Sequence, residues 1–391
     1  MLRSLFSGIS GLRAHQQMMD VTGNNISNIN TAGFKSSQAT FADTLSQMVR
    51  GAGAPQSGNG GTNPAQVGLG VRLAGIETNF AQGAAQVTGR NTDLMIQGDG
   101  FFVVRDGGEQ LFTRAGSFSF DTDGRLVGSG GKVVQGWGAV DGAIDSALAP
   151  KDIQLPIGVL LPPTQTTSAV VGGNLPGDTT STTPIVKSIT VYDASGNEST
   201  LSVSFQKVTQ TEWTATVTNG TTSSAPETIT FDAEGAPSPT SMTLGGIQVN
   251  LAQVTNFAGS DTVAALSQNG GEMGSLQAFS IGQDGTVVGI FSNGLKSPLA
   301  QLALANFNNP PGLEKVGDSM YRTTVNSGAV QLGAAGTGNR GIVQGGALEM
   351  SNVDLAQEFT NLVIAQRGFQ ANSRMITASD ELLQDLVNLK R

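Results

Sequence analysis

Cysteine is absent from this chain of 391 residues, histidine occurs once, and tryptophan and tyrosine occur twice each. The missing cysteines exclude disulfides, thiolate metal sites and cysteine nucleophiles together. With His15 as its only imidazole, the chain can build no multi-histidine zinc site and no histidine relay. A serine hydrolase would need that one residue as its base, and no GxSxG turn is present. Charge is also scarce, at 13% of residues, and the formal net charge of -9 would repel a phosphate backbone. No Lys/Arg cluster offsets this locally, so nucleic acid is not an expected partner. Nor is there an apolar run of about 18 residues, so no membrane insertion is expected. The opening MLRSLFSGISGLRAH is interrupted by Ser4, Ser7, Gly8, Ser10 and Arg13, and an apolar secretory core cannot form there.

Proline is missing from both ends: all 14 prolines fall between Pro55 and Pro311. Proline breaks helices, and helical periodicity appears in the proline-free ends. Leu2, Leu5, Ile9, Leu12, Gln16 and Met19 recur at alternating spacings of three and four, and the pattern fades through Gly23 and ends at Thr31-Ala32-Gly33. At the other end Leu355, Phe359, Leu362, Gln366, Phe369, Ser373, Ile376, Asp380, Leu383 and Val387 keep the same rhythm. Ser351 followed by Asp354 reads as a capping box, so a helix is expected from about Val353 to Lys390, roughly 57 Å long. A heptad helix of that length implies a coiled-coil partner.

Glycine is what the chain has in excess, with 53 residues, and between the ends the apolar period changes to two. Leu201, Val203 and Phe205 alternate with Ser202, Ser204 and Gln206, as in a half-buried strand. Asp106-Gly107, Asp123-Gly124, Asn219-Gly220, Asp284-Gly285 and Asn293-Gly294 read as hairpin turns between short apolar runs. The expected fold is mainly β with α-helical termini: two nested all-β domains plus long N- and C-terminal coiled-coil helices. The expected divisions are a terminal helical domain at 1–33 and 351–391, a linker at 34–70, a first β-domain at 71–160 and 272–350, and an inserted outer β-domain at 161–271.

Chemical motifs have bland readings. Gly336, Gly338 and Gly341 spell GxGxxG, but Ile342-Val343-Gln344 follow as a strand, where a dinucleotide loop would open a helix. Asp121-Thr122-Asp123-Gly124 resembles a calcium-loop opening, yet lacks the glutamate that closes one and suits a hairpin turn better. Acidic pairs show no marking spacing. No catalytic, cofactor-binding or metal residues are assigned, no cofactor is expected, and the chain is not read as an enzyme.

The segment SGLRAHQQMMDVTGNNISNINTAGFKSSQATFAD, from Ser10 to Asp43, resembles the N-terminal signature of the bacterial flagellar rod and hook axial proteins. SNVDLAQEFTNLVIAQRGFQANSRMITASDELLQDLVNL, from Ser351 to Leu389, is similar to the C-terminal helix of that family. GDGFFVV from Gly98, FTRAGSFSFDTDGRLV from Phe112 and QGW from Gln135 resemble its first β-domain. VYDASGN from Val191, LSVSFQKV from Leu201, EWTATV from Glu212 and the stretch from Gly289 to Gly328 resemble the hook members in particular.

The resemblance implies a structural subunit of the flagellum basal body and hook, forming a helical homopolymer that transmits torque. It also implies export through the flagellar type III apparatus to an extracellular site without a cleaved signal peptide. The implied partners are other copies of the chain, the distal rod, the hook cap and the hook-filament junction proteins. The polymerisation interface would then comprise Leu2, Leu5, Ile9, Leu12, Met19, Leu355, Phe359, Leu362, Phe369, Ile376, Leu383 and Val387. Two other readings stand beside this one: a distal rod subunit, which would lack most of 161–271, and a secreted adhesive or carbohydrate-binding β-protein, which would not need paired terminal heptads.

Overall fold

The structure is a computed structural model and describes residues 2–55, 60–140, 142–155, 160–178 and 183–388. It is mainly β with a helix at each end, and the chain divides into two units. The first comprises Met1–Leu155, Ser280–Val288 and Pro298–Arg391, and the second comprises Pro156–Phe279 and Gly289–Ser297. The second unit thus claims residues 289–297 as well as the stretch between 156 and 279, beyond the single insertion at 161–271 read from composition.

In the first unit, Phe101–Asp106 turns at Gly107-Gly108 into Glu109–Thr113, with Asp106 opposite Glu109. Val133–Val140 joins the other side of this hairpin, and its Gly136, Trp137 and Gly138 pair with Leu302, Gln301 and Ala300. Their inward side chains meet around Phe101, Phe112, Trp137, Phe307 and Tyr321. Phe307 stands edge-on to Phe112 at 4.9 Å and to Phe101 at 5.7 Å between centroids, a favoured geometry for aromatic quadrupoles. Late segments complete the body: Ile342–Gly345 pairs with Leu94–Gln97, and Ala347–Glu349 with Ala85–Val87. The Gly336, Gly338 and Gly341 motif precedes this strand as a turn, and the Gly341 amide donates to the Asp99 carbonyl at 2.6 Å.

Residues 34–70, expected to be a linker, carry strands. Ser37–Asp43 pairs with Val71–Thr78, and Ser46–Arg50 with Ala65–Gly68, both antiparallel. Gln38-Ala39-Thr40-Phe41 and Val71-Arg72-Leu73 belong to strands whose residues are all exposed or half-buried, so neither face shows a clean apolar alternation.

The second unit is two sheets over one core. Ile185–Tyr192, Glu198–Lys207, Glu212–Asn219 and Glu227–Phe231 follow one another as antiparallel neighbours. The other sheet places Ser168–Asn174 between Ile247–Thr255, parallel to it, and Ala264–Gln268, antiparallel. Leu201, Val203, Phe205, Trp213 and Val217 from the first sheet and Val171, Val249 and Leu251 from the second are buried together. Entry and exit lie side by side, since Leu160-Leu161 pairs with Gly274-Ser275 and Thr164 bridges Gly271.

Candidate assembly surface

The two helices, α1 (Leu2–Ser27) and α2 (Leu355–Asn388), lie antiparallel within the first unit. α2 begins where the Asp354 carboxylate accepts the amides of Ala356 at 2.8 Å and Gln357 at 3.2 Å. Asp354 is therefore the N-cap. Ser351, expected to open a capping box with the helix starting near Val353, instead accepts the Val353 amide outside the helix.

Small and polar residues, with Met375 and Ile376, make the contact between the helices. A side chain at Gly8 would touch Met375 and Ile376, one at Gly11 would touch Asn372, and one at Gly368 would meet the His15 ring. Ala14 and Ala365 are buried, and Asn25 donates to the Glu358 carboxylate at 2.9 Å. Glycine at these positions lets the backbones approach more closely than leucine would.

Because this seam is small, the apolar stripes read from sequence are only partly used by the subunit itself. Leu5, Ile9, Leu12 and Met19 of α1 are half-buried, as are Leu362, Ile376 and Leu383 of α2. Leu355, Phe359 and Phe369 are exposed, Phe359 at 50%. The side chains of Leu2 and Val387 lie outside the described residues. A stripe with heptad spacing drifts about 20° per heptad on a helix of 3.6 residues per turn. Over the four heptads from Leu355 to Leu383 it therefore turns from the open side toward α1. Val363, exposed at 53% and four residues after Phe359, extends the open apolar face and fell outside the heptad register.

Where the ends join the β-body, charge is buried. The Lys35 ammonium donates to Glu349 Oε1 at 2.6 Å and to the Ala81 carbonyl at 2.7 Å, and both side chains of the ion pair are fully buried. Glu349 Oε1 also accepts the Gly83 amide at 2.9 Å, and Oε2 lies 3.5 Å from Arg114 Nη1. Burial pushes the Lys35 ammonium below its ordinary value, against the pull of Glu349, and burial likewise pushes the Tyr321 phenol up. Just before Lys35, Gly33 turns with φ 70 while its α-carbon abuts the Ala115 backbone. Only glycine fits that turn without strain. Composition and periodicity did not mark Lys35, Arg114 or Glu349, because an ion pair far apart in sequence leaves no local pattern.

A groove of about 730 Å³ beside this junction is bordered by Asn28, Phe34, Arg90, Ser117, Lys315 and Asp318. Its lining offers one carboxylate and no histidine. No group of His, Cys, Asp or Glu suited to a metal ion occurs among the described residues. No helix there is long and apolar enough to cross a membrane.

Comparison with known proteins matches successive parts of the chain. The family described as flagella basal body rod protein covers residues 5–35, and the flagellar hook protein FlgE/F/G D1 domain covers 95–174. The flagellar basal body protein FlaE D2 domain covers 160–271, and the flagellar basal body rod FlgEFG protein C-terminal family covers 344–389. The flagellar hook protein FlgE of Borreliella burgdorferi is 39% identical over 442 residues, covering 100% of both chains. That of Salmonella typhimurium is 35% identical over 99% of this chain and 100% of its own. The flagellar basal-body rod protein FlgG of Bacillus subtilis is 33% identical over 100% of each. The crystal structure of Helicobacter pylori flagellar hook protein FlgE2 shares the fold, with a TM-score of 0.54 at 15% identity over 68% of this chain and 100% of that one. Matched from end to end, the chain belongs to the bacterial flagellar hook protein family.

Proposed function

We propose that the chain is the structural subunit of the flagellar hook, polymerising into a flexible tube that passes torque from rod to filament. The observation that carries this is the full-length likeness to hook proteins, including the 160–271 match to the D2 domain. The exposed Leu355, Phe359 and Val363 supply a physical reason for polymerisation. Apolar surface contributes about 25 cal/mol per Å² only once it leaves water, and in a tube the helices of neighbouring copies would cover it by coiled-coil packing. The half-buried stripe on α1, including Leu5, Ile9, Leu12 and Met19, would join the same interface, and the two β units would face outward. In this reading the subunit does no catalysis. It leaves the cell through the flagellar type III export apparatus and contacts the distal rod below and the hook cap and hook-filament junction proteins above.

The distal rod reading has the FlgG likeness in its favour. Negative-stain images of cells lacking the gene separate the two: a hook subunit predicts rods without hooks or filaments, whereas loss of the distal rod itself assigns the chain there.

A further inference from the structure

Glu349 is the shared counter-ion of two cations from distant parts of the chain. Lys35 follows α1, Glu349 precedes α2, and Arg114 belongs to the β-body between them. The Arg114 guanidinium is fixed over the Phe101 ring at 5.3 Å. Its Nε is buried with no hydrogen-bond partner among the described residues. The segments carrying Lys35 and Glu349 also touch directly. The Gly33 amide donates to the Glu349 carbonyl at 2.7 Å, and the Ser36 amide donates to Asn352 Oδ1 at 2.8 Å. Asn352 Nδ2 in turn donates to the Asn79 and Ala81 carbonyls, so three stretches close on one another.

We infer that Lys35 and Glu349 form a two-part latch that makes the docking of the N-terminal and C-terminal segments on the β-body mutually dependent. If residues 33–37 docked alone, a buried ammonium would face the like charge of Arg114 with no carboxylate between them. If residues 347–352 docked alone, Glu349 would keep only the Gly83 amide and the longer Arg114 contact. Removing one member of a buried ion pair strands the other, a penalty of roughly a hundredfold or more in an equilibrium constant. Replacing both members removes the part of that penalty that belongs to the pair and leaves only the Arg114 contact with Glu349 to be lost. The half-docked states are therefore sparse, and a subunit presents both helices in place or neither. A particle that adds copies to a tube through paired helices gains from this, since no copy would arrive with one helix docked. The latch goes beyond the hook assignment and belongs to the single subunit, so its test needs no polymer.

The test is hydrogen exchange on the full-length monomer, followed on peptides spanning 28–43 and 346–354, with 101–113 as the β-body reference. The variants are Lys35→Met, Glu349→Gln and the double Lys35→Met/Glu349→Gln. Each single change is expected to speed exchange in both terminal peptides together, by about a hundredfold, and to leave 101–113 protected. The double variant is expected to lose clearly less than the product of the singles, because no member of the pair is left charged and alone. Acceleration confined to one terminal peptide, no acceleration in any variant, or a double variant equal to the product overturns the latch. Lost protection at 101–113 overturns it too, because the cluster would then be holding the β-body itself.

Discussion

Gly11 lies so close to Asn372 that a β-carbon on it would sit 2.7 Å from the Asn372 side-chain oxygen. The Asn372 amide is already committed to the Gly368 carbonyl at 2.8 Å. Gly11→Leu is therefore expected to wedge α1 from α2, destabilising the pair by about 1–3 kcal/mol as overpacking does. Gly23, just over three turns along, has nothing within 4 Å of an added β-carbon. Gly23→Ala is expected to stabilise the helix by up to about 1 kcal/mol. Thermal melts followed by helical circular dichroism should move in opposite directions for the two, and a shared direction would remove the close seam from the account.

The open apolar face yields a second expectation. Phe359→Lys and Val363→Lys should abolish sedimentable tubes while shifting monomer stability by no more than about 0.5 kcal/mol, as ordinary surface changes do. Ala378→Lys, exposed but outside that apolar run, should assemble nearly normally. Leu362→Lys should be intermediate, since its side chain is already half-buried within the subunit. A large drop in monomer melting temperature for Phe359→Lys would place that residue in the subunit's own core.

Adjacent entry and exit strands make the second unit removable. Joining residue 164 to residue 271 by a short loop should leave the first unit with its own cooperative calorimetric transition, because Thr164 and Gly271 already bridge. In the intact chain, Trp213→Ala empties the centre of the second unit's core and should cost about 3–5 kcal/mol. The shift should be confined to one of two transitions. A single transition that moves as a whole would show that the units unfold together.

Acid should loosen the turn built around Asp193. The Asp193 carboxyl is held below its ordinary value by the Asn197 side-chain amide, then by the backbone amides of Asn197, Ser195 and Gly196. A carboxyl whose folded value is depressed stabilises above the unfolded value, near pH 4, and that contribution is lost as pH falls through the folded value. Amide exchange at Ser195 and Asn197, corrected for its intrinsic pH dependence, should therefore quicken below about pH 4. In Asp193→Asn that step should be missing, and a variant that keeps it would assign the effect to another group.

Much of this molecule was legible in residue order because its signals are local. Proline-free ends with heptads became α1 and α2, and the Leu201-Val203-Phe205 alternation became a buried strand face. Asp-Gly and Asn-Gly pairs mark turns because glycine adopts positive φ without steric cost, as at Gly107, Gly124 and Gly220. Resemblance at both ends and in the insertion carried the family.

Tertiary structure decided what local pattern cannot encode. Hydrophobic period states that a stripe exists, but which part faces the chain's own partner depends on how closely Gly8, Gly11 and Gly368 let two distant helices approach. Only folding brought Lys35 to Glu349, laid Ser168–Asn174 parallel to Ile247–Thr255, and paired the expected linker with itself. Each of these joins residues far apart in the chain, and their energies depend on burial and distance, quantities that exist only once the chain has closed on itself.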